Sequence, residues 1–524
     1  MAVQSSFLFT ENCNEGRVYR WRRAYEFMHS ISDIFVIGGG INGAGIARDA
    51  AGRGLKVTLA EKDDLASHTS SASSKLIHGG LRYLEHYEFK LVRESLLERE
   101  ILLQSAPHLI RPMRFILPHH KGLRPAFILR LGLFLYDHIG GRKLLPPTEV
   151  RALRKHTSGA PLRERYTKGF EYSDCWVDDA RLVVLAARDA SDKGAHILTR
   201  HEVINATRKN GLWHIIVRNN RNEETTYKAR ALVNAAGPWV DDIEGKTSPS
   251  PDSQKNIQMV KGSHIIVPKV YDGAQAYTFQ GSDNRVVFAI PYEEDYTLIG
   301  TTDVPFEADP NSVEINHTEK EYLCKLASDY FRRTIKPESI VWSYSGVRPL
   351  VDDGEDNASK TTRDYVLELD TKESTPLLSI YGGKITTFRH LAEEAMEKLK
   401  PALGFDTGSW TKEAHLPGAV GLNYADMDFF NTRIKHDYPF LPRALRLRFI
   451  EAYGNDIHSM LEGCTSLKDM GRHFGACLYE AELKFMQDKE WATCADDALW
   501  RRSKLGLRLN AAETEAVENW FQGK

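Results

Sequence analysis

Gly38, Gly40 and Gly43 stand in a Gly-x-Gly-x-x-Gly pattern, directly after the apolar run Ile34–Ile37 and at the head of the small-residue stretch Gly43–Ala51. The first glycine of such a turn permits the tight bend and the second lets backbone approach a pyrophosphate. The third lets a helix touch its strand, and the helix N-terminus favours the anion. Glu61 closes the next apolar run, Val57–Ala60, where a carboxylate accepts both ribose hydroxyls. An acid there argues for a ribose without a 2′-phosphate. The plain alternative is a glycine-rich turn in an ordinary α/β unit, which leaves the coincidence of turn, helix and acid unexplained.

Three further stretches carry residues suited to the same chemistry. Ser67–Tyr83 is dense in hydroxyls, with Gly79 and Gly80 near its end. Small hydroxyls donate to phosphate and flavin oxygens, and paired glycines let backbone pass a planar ring; a solvated polar loop is the plain alternative. Ala231–Trp239 reads as a buried parallel strand ending in Gly237 and Pro238, closing on the nucleotide crevice at the strands' carboxyl ends. Leu377–Phe388 reads as a strand, a Gly-Gly turn and a helix start, whose N-terminus would stabilise negative charge on a reduced ring.

These stretches need a large scaffold. A chain of 524 residues implies two or three domains, and a net charge of −2 gives no global sign of a nucleic-acid partner. Cys13, Cys175, Cys324, Cys464, Cys477 and Cys494 are scattered without CxxC spacing, which fits reduced thiols in a cytosolic compartment and no metal site. No apolar run is long enough to span a bilayer, so any membrane association is expected to be peripheral. Before Ser32 the segment is basic at Arg17, Arg20, Arg22 and Arg23, yet Glu11, Glu15 and Glu26 are unlike a transit peptide, and Met28 is a candidate native start.

Glu88–Gln104 has the period of an amphipathic helix. Arg111–Leu145 interleaves seven bases with Phe115, Phe127, Leu131, Phe134 and Leu135, and Asp137 is its one acid. Two readings stay open: a helix lying on an anionic bilayer, or a core helix with a solvated basic side. Gly169–Ala187 reads as strand then helix, opened by Asp178 and Asp179. A hairpin is expected over Trp213–Val217 and Thr225–Tyr227, and alternating strands between Lys261 and Asp370 suggest an inserted, mostly antiparallel substrate domain. From Ala402 onward the pattern is helical, a cap or dimer-forming appendage.

Over nearly the whole chain after residue 32 the sequence resembles the FAD-dependent glycerol-3-phosphate dehydrogenases of the respiratory bacterial kind. The resemblance rests on GGGINGAG at 38–45, SSASSKLIHGGLRYLE at 70–85, FEYSDCWVDDAR at 170–181, KGSHIIVP at 261–268, IGTTD at 299–303, YSGVRPL at 344–350 and GGKITTF at 382–388. It implies an α/β fold: a Rossmann-type FAD-binding domain (33–260 and 371–400) behind an N-terminal extension (1–32). A glycine/D-amino-acid-oxidase-like substrate domain (261–370) is inserted, and an all-helical domain (401–524) follows. It implies FAD held non-covalently by Gly38, Gly40, Ile41, Asn42, Gly43, Glu61, Thr69, Ser70, Ser71, Lys75, Leu76, His78, Gly79, Val203, Gly237, Pro238, Gly383, Lys384, Thr386 and Thr387.

The same resemblance sets Arg82, Tyr83, His264, Arg348, Arg363 and Lys384 around glycerol 3-phosphate, which would be oxidised to dihydroxyacetone phosphate. His264 is the candidate base, because imidazole titrates near neutrality, and Arg348 would orient the hydroxyl or phosphate and stabilise a developing alkoxide. Read without the resemblance, His264 suits a structural histidine and Arg348 or Arg363 a surface ion pair. Membrane quinone is the implied acceptor, with a glycerophosphate oxidase using oxygen as the alternative. A homodimer at the inner face of the cell membrane is expected, docked on an anionic surface.

Overall fold

The run after Ser32 is apolar on both faces because it becomes a central parallel strand. In the computed structural model, which describes residues 30–247, 257–351 and 364–524, the chain begins with β1 (Ile31–Ile37), helix α1 (Ile41–Gly52), β2 (Val57–Glu61), β3 (Leu76–Ile77) and α2 (Phe89–Ser105). Next come β4 (Ile110–His119), α3 (Ala126–Ile139), β5 (Glu149–Ala152), β6 (Lys168–Val177), α4 (Asp179–Asp192), β7 (His196–Thr199), β8 (His201–Lys209), β9 (Leu212–Asn219), β10 (Glu224–Asn234) and α5 (Val240–Thr247). Then follow β11 (Ile257–Pro268), β12 (Ala276–Gln280), β13 (Val286–Tyr292), β14 (Tyr296–Gly300), β15 (Val304–Pro305), α6 (His317–Tyr330) and β16 (Trp342–Val351). β17 (Val366–Asp370), β18 (Leu377–Tyr381) and α7 (Phe388–Leu403) return to the first sheet. The extension to Met28, with residue 29, and Arg363 lie outside the described residues.

The first, eight-stranded sheet runs β17-β18-β10-β1-β2-β7, with β8 and β9 attached through β10. Ile34, Phe35 and Val36 are fully buried between parallel neighbours β2 and β10. β10 unites two stretches that the sequence pattern separates. Its first half pairs antiparallel with β9, and its second half runs parallel beside β1 to Asn234. Small residues let α1 lie against α7: a Cβ on Gly45 would stand 2.8 Å from the Phe388 ring.

The second, ten-stranded sheet runs β15-β11-β14-β13-β12-β4-β6-β3, with β16 on β11 and β5 on β6. It is antiparallel except for β12 beside β4. The second sheet therefore draws β3 to β6 from residues 76–177 and its remaining strands from 257–351, while β17, inside the insertion expected at 261–370, lies in the first sheet. The sequence hides β4 because Pro112 and Pro118 interrupt its alternation and its arginines suggest a helix surface. Arg111 and Arg114 thus stand on a strand, and only Ala126–Ile139 of that stretch is helical.

On α3, Leu133 and Tyr136 are buried, while Phe127 (73% exposed), Leu131 (59%) and Phe134 (56%) face outward. Among the described residues no helix is long and apolar enough to cross a membrane. The C-terminal region has its own core, including Phe430, Phe449, Leu483, Met486 and Leu499. It docks on α4 through ion pairs, Arg181 with Glu490 at 2.8 Å, fully buried, and Arg188 with Asp456 at 2.6 Å, partly buried. Within this helical region, Asp497–Arg502 forms a π-helical turn.

The Arg181–Glu490 pair has side-chain exposures of 2% and 0%. Arg181→Met leaves a buried carboxylate uncompensated and is expected to cost about 3–5 kcal/mol, most of it recovered when Glu490→Leu is added. Thermal melts of the two variants check this, and an unchanged Tm for the single variant would refute it.

Candidate active site

Backbone-to-backbone contact makes the glycine turn what it is. Gly38 has φ of 105°, and a Cβ there would stand 2.5 Å from the Ala235 carbonyl oxygen. A Cβ on Gly43 would stand 1.9 Å from the Gly38 carbonyl oxygen, so the helix rests directly on the turn. A Cβ on Gly40 would meet Ser70 Oγ at 3.1 Å, and the Ile41 amide donates to that hydroxyl at 3.0 Å. The turn, the N-terminus of α1 and the hydroxyl-rich loop therefore form one wall.

Glu61 ends β2 beneath it. Its Oε2 accepts from the Gly39 amide at 2.7 Å and its Oε1 from the Asp63 amide at 2.9 Å, and each oxygen keeps a lone pair for a ribose hydroxyl. Burial raises its carboxyl above the usual range, against those two amides and the nearby His68. Asn42 Nδ2 donates to the Gly382 carbonyl at 3.1 Å, while its buried Oδ1 finds no hydrogen-bond partner among the described residues. An acceptor left in that position suits a hydroxyl or ring N–H of a bound dinucleotide.

Two spaces of about 280 and 340 Å³ share Ile41, Thr69, Ser70, Pro349 and Gly383, which makes them one elongated cleft. Gly38, Gly40, Asn42, Glu61, Val203, Gly237 and Pro238 line its outer part. Leu76, His78, Arg82, Tyr83, Arg348, Lys384 and Thr386 line its inner part. A dinucleotide with its adenosine at Glu61 would extend its far end among these cations. Here the tertiary structure joins residues more than 300 positions apart: the His78 amide donates to Thr386 Oγ1 at 3.3 Å, and Lys384 Nζ lies 3.8 Å from the centre of the Tyr83 ring.

Arg348 is aimed by charge. Its Nη1 meets Asp303 Oδ1 at 2.6 Å and its Nη2 donates to Thr301 Oγ1 at 2.9 Å, with the side chain 24% exposed. His264, on the adjoining strand β11, is 1% exposed. Its ring stacks on Tyr344 at 4.8 Å, and Nε2 shares a hydrogen bond of 2.9 Å with Ser74 Oγ. His264 stands behind Ser74, which lines the inner cleft. Burial first, and then the charges of Arg348 and Lys75, hold its imidazolium pKa well below the ordinary histidine value, so the ring is neutral.

Several expected cofactor residues act from outside the cleft. Lys75 turns its ammonium into a buried pair with Asp179 at 2.6 Å, and Ser71 walls a neighbouring cavity. The Gly79 amide donates to Tyr136 Oη on α3 at 2.8 Å, and Thr387 is buried at the head of α7. Two glycines within the quoted motifs make room for the side chains of Arg348 and His264. A Cβ on Gly262 of KGSH would stand 2.3 Å from Arg348 Nη2, and one on Gly300 of IGTTD 2.0 Å from His264 Cδ2. The spacing of neither motif reveals that its glycine clears room for a side chain on another strand.

The family described as FAD dependent oxidoreductase matches residues 33–389. The chain is 53% identical over 490 residues to the D-erythritol 1-phosphate dehydrogenase of Brucella abortus (strain 2308), covering 93% of this chain and 97% of that protein. It is 49% identical over 493 residues to the aerobic glycerol-3-phosphate dehydrogenase of Escherichia coli (strain K12), with the same coverage of 93% and 97%. The solved structure of the glycerol-3-phosphate dehydrogenase from Bacillus halodurans complexed with FAD superposes with a TM-score of 0.75 at 25% identity, covering 96% of this chain and 95% of that one.

Two glycines separate fold from function. Gly43→Ala collides with backbone and is expected to lower both Tm and cofactor content. Gly262→Ala collides only with side-chain atoms, the guanidinium of Arg348 and the Thr301 hydroxyl, and is expected to keep Tm while lowering kcat/KM by roughly 10²-fold. Equal losses of Tm would sink the distinction. For His264, a depressed folded pKa means stability is full above the unfolded value of about 6.5 and declines as pH falls through it. Melts between pH 8 and pH 5 should show wild type losing more than His264→Gln, and parallel curves would refute this.

Proposed function

This chain belongs to the family of FAD-dependent oxidoreductases, among the aerobic glycerol-3-phosphate dehydrogenases, and on that premise we propose that it oxidises sn-glycerol 3-phosphate to dihydroxyacetone phosphate and passes the electrons to membrane quinone. FAD is its cofactor. The observation that carries the substrate reading is the meeting of Arg82, Arg348 and Lys384 at the inner end of the cleft, beside the Ser70–His78 loop and the turn before α7. A dianionic phosphate needs several fixed donors, and guanidinium groups meet it bidentately. Arg363 belongs to the same proposed set.

Oxidation of the secondary alcohol moves a proton from oxygen and a hydride, with its electron pair, from carbon. Bound FAD supplies the hydride acceptor. The hydroxyl proton passes to Ser74 Oγ, whose own proton goes to His264 Nε2 behind it; the neutral imidazole is the form that can receive it. Arg348, held by Asp303 and Thr301, stabilises alkoxide charge as it builds. The N-terminus of α7 follows the Gly382–Thr387 turn and favours negative charge on the cofactor ring.

The acceptor reading is supported by α3. Its exposed Phe127, Leu131 and Phe134 are flanked by exposed Lys121, Arg124, Arg130 and Lys143, a combination that seats a helix on an anionic bilayer. Leu129 of the same helix lines the inner cleft, so the docking face adjoins its mouth. A second substrate reading, D-erythritol 1-phosphate, is favoured by the 53% identity to the Brucella abortus enzyme. Oxygen as acceptor is the alternative to quinone.

An anaerobic visible spectrum decides the first point: glycerol 3-phosphate is expected to bleach the flavin stoichiometrically, with kcat/KM above that for D-erythritol 1-phosphate. The reverse order hands the substrate to the four-carbon reading, and peroxide formed one-for-one with product hands the acceptor to oxygen. His264→Ala and Arg348→Ala should each lower kcat/KM by roughly 10²–10³-fold at constant flavin content. A near-native rate and pH profile in His264→Ala would remove it as the base. Flotation with anionic liposomes should be lost on Leu131→Ser/Phe134→Ser, and wild-type protein that stays at the bottom of the gradient ends the membrane reading.

A further inference from the structure

The geometry points to a role for the C-terminal helical domain in FAD binding: its π-helical turn Asp497–Arg502 clamps the loop after Glu61 that walls the adenosine end of the cleft. Asp64 lies in that loop and is 2% exposed. Its carboxylate receives Arg501 Nε at 2.6 Å, Arg502 Nη2 at 2.7 Å and Arg502 Nη1. A second point of attachment lies beside it. Asp497 accepts from Arg200 Nη2 at 2.7 Å, and the Arg200 amide donates to the Asp63 carbonyl at 2.7 Å.

The clamped loop is the one that shapes the cofactor wall. The Ala66 amide donates to the Gly39 carbonyl at 3.2 Å, within the glycine turn. The Asp63 amide holds Glu61 Oε1 at 2.9 Å. Lys62, Ala66, Ser67 and His68 line the outer cleft directly. Arg502 is fully buried and Arg501 partly so; Arg501 also meets Asp496 and Asp497 of its own turn at 2.6 Å, while Asp64, which both arginines reach, belongs to a distant part of the chain. Burial works against the charge of Asp497, but the Thr493 amide and the Arg200, Arg502 and Arg501 guanidiniums outweigh it and hold its carboxyl far below the ordinary range. Buried charges so matched fix one relative placement of two surfaces, since any shift leaves them unpaired.

Arg501 and Arg502 are positioning residues, acting on FAD through Asp64 and the loop. The inference rests on the reading that sets the adenosine ribose at Glu61. Three variants of the full-length holoenzyme test it: Arg501→Gln, Asp64→Asn and, as a control for general loss of stability, Arg448→Gln, whose partner Glu482 lies within the C-terminal domain at 2.5 Å. FAD dissociation constants, and the inhibition constant of ADP against FAD rebinding, are the readouts. Arg501→Gln and Asp64→Asn are expected to raise both at least tenfold, with KM for glycerol 3-phosphate within twofold of wild type. Arg448→Gln is expected to lower Tm and leave both constants unchanged. If Arg501→Gln and Arg448→Gln shift the two constants alike, the clamp is refuted. Glu61→Ala separates the premise: ADP affinity left intact there refutes the adenosine placement, and the clamp with it.

Discussion

Gly43 of α1 rests on the carbonyl of Gly38, at a distance that leaves no room for a methyl group. That contact fixes the helix against β1 and sets the position of its N-terminal amides. The carbonyl end of β1, the head of α1 and the end of β2 thereby converge at one place. Gly39 then reaches Glu61, and Ser70 reaches the Ile41 amide. A side chain at residue 43 would push these groups apart together, because the approach is made by backbone and backbone does not change rotamer.

The inner end of the cleft uses the same device at one remove. Gly262 and Gly300 give up side chains so that Arg348 and His264 can lie against strands of the second sheet. The two side chains then have opposite electrostatic fates. Arg348 is paired with Asp303 at 2.6 Å, whereas burial first, and then the charges of Arg348 and Lys75, disfavour the protonated form of His264. One strand pair thus presents a paired cation and, behind Ser74, a neutral imidazole, the two groups to which the proposed alcohol oxidation assigns charge stabilisation and proton acceptance.

The C-terminal domain enters this arrangement through charge. Arg181, Arg188, Arg501 and Arg502 all cross between it and the cofactor domain, each ending on a carboxylate. Such contacts carry no apolar period and no motif, so a helical appendage is all that the sequence reveals there. The second sheet is illegible for a related reason. β4 and β6 pair over ten residues each from a part of the chain that reads as belonging to the first domain, and their partners β11 to β16 lie far downstream.

The sequence by itself determined the dinucleotide turn, the acid at Glu61, the resemblance that names FAD, and most of the helices and parallel strands. Those features are local: a glycine pattern, an apolar period and an acid at a strand end act over a few residues, where spacing and geometry are the same thing. The tertiary structure alone decided that Lys75 serves Asp179, that His264 stands behind Ser74, that β3 to β6 complete the substrate sheet, and that α3 turns phenylalanines outward. Each of these depends on which distant surface a side chain meets. Burial and pairing across hundreds of residues are settled by how whole sheets pack, and no spacing along the chain records them.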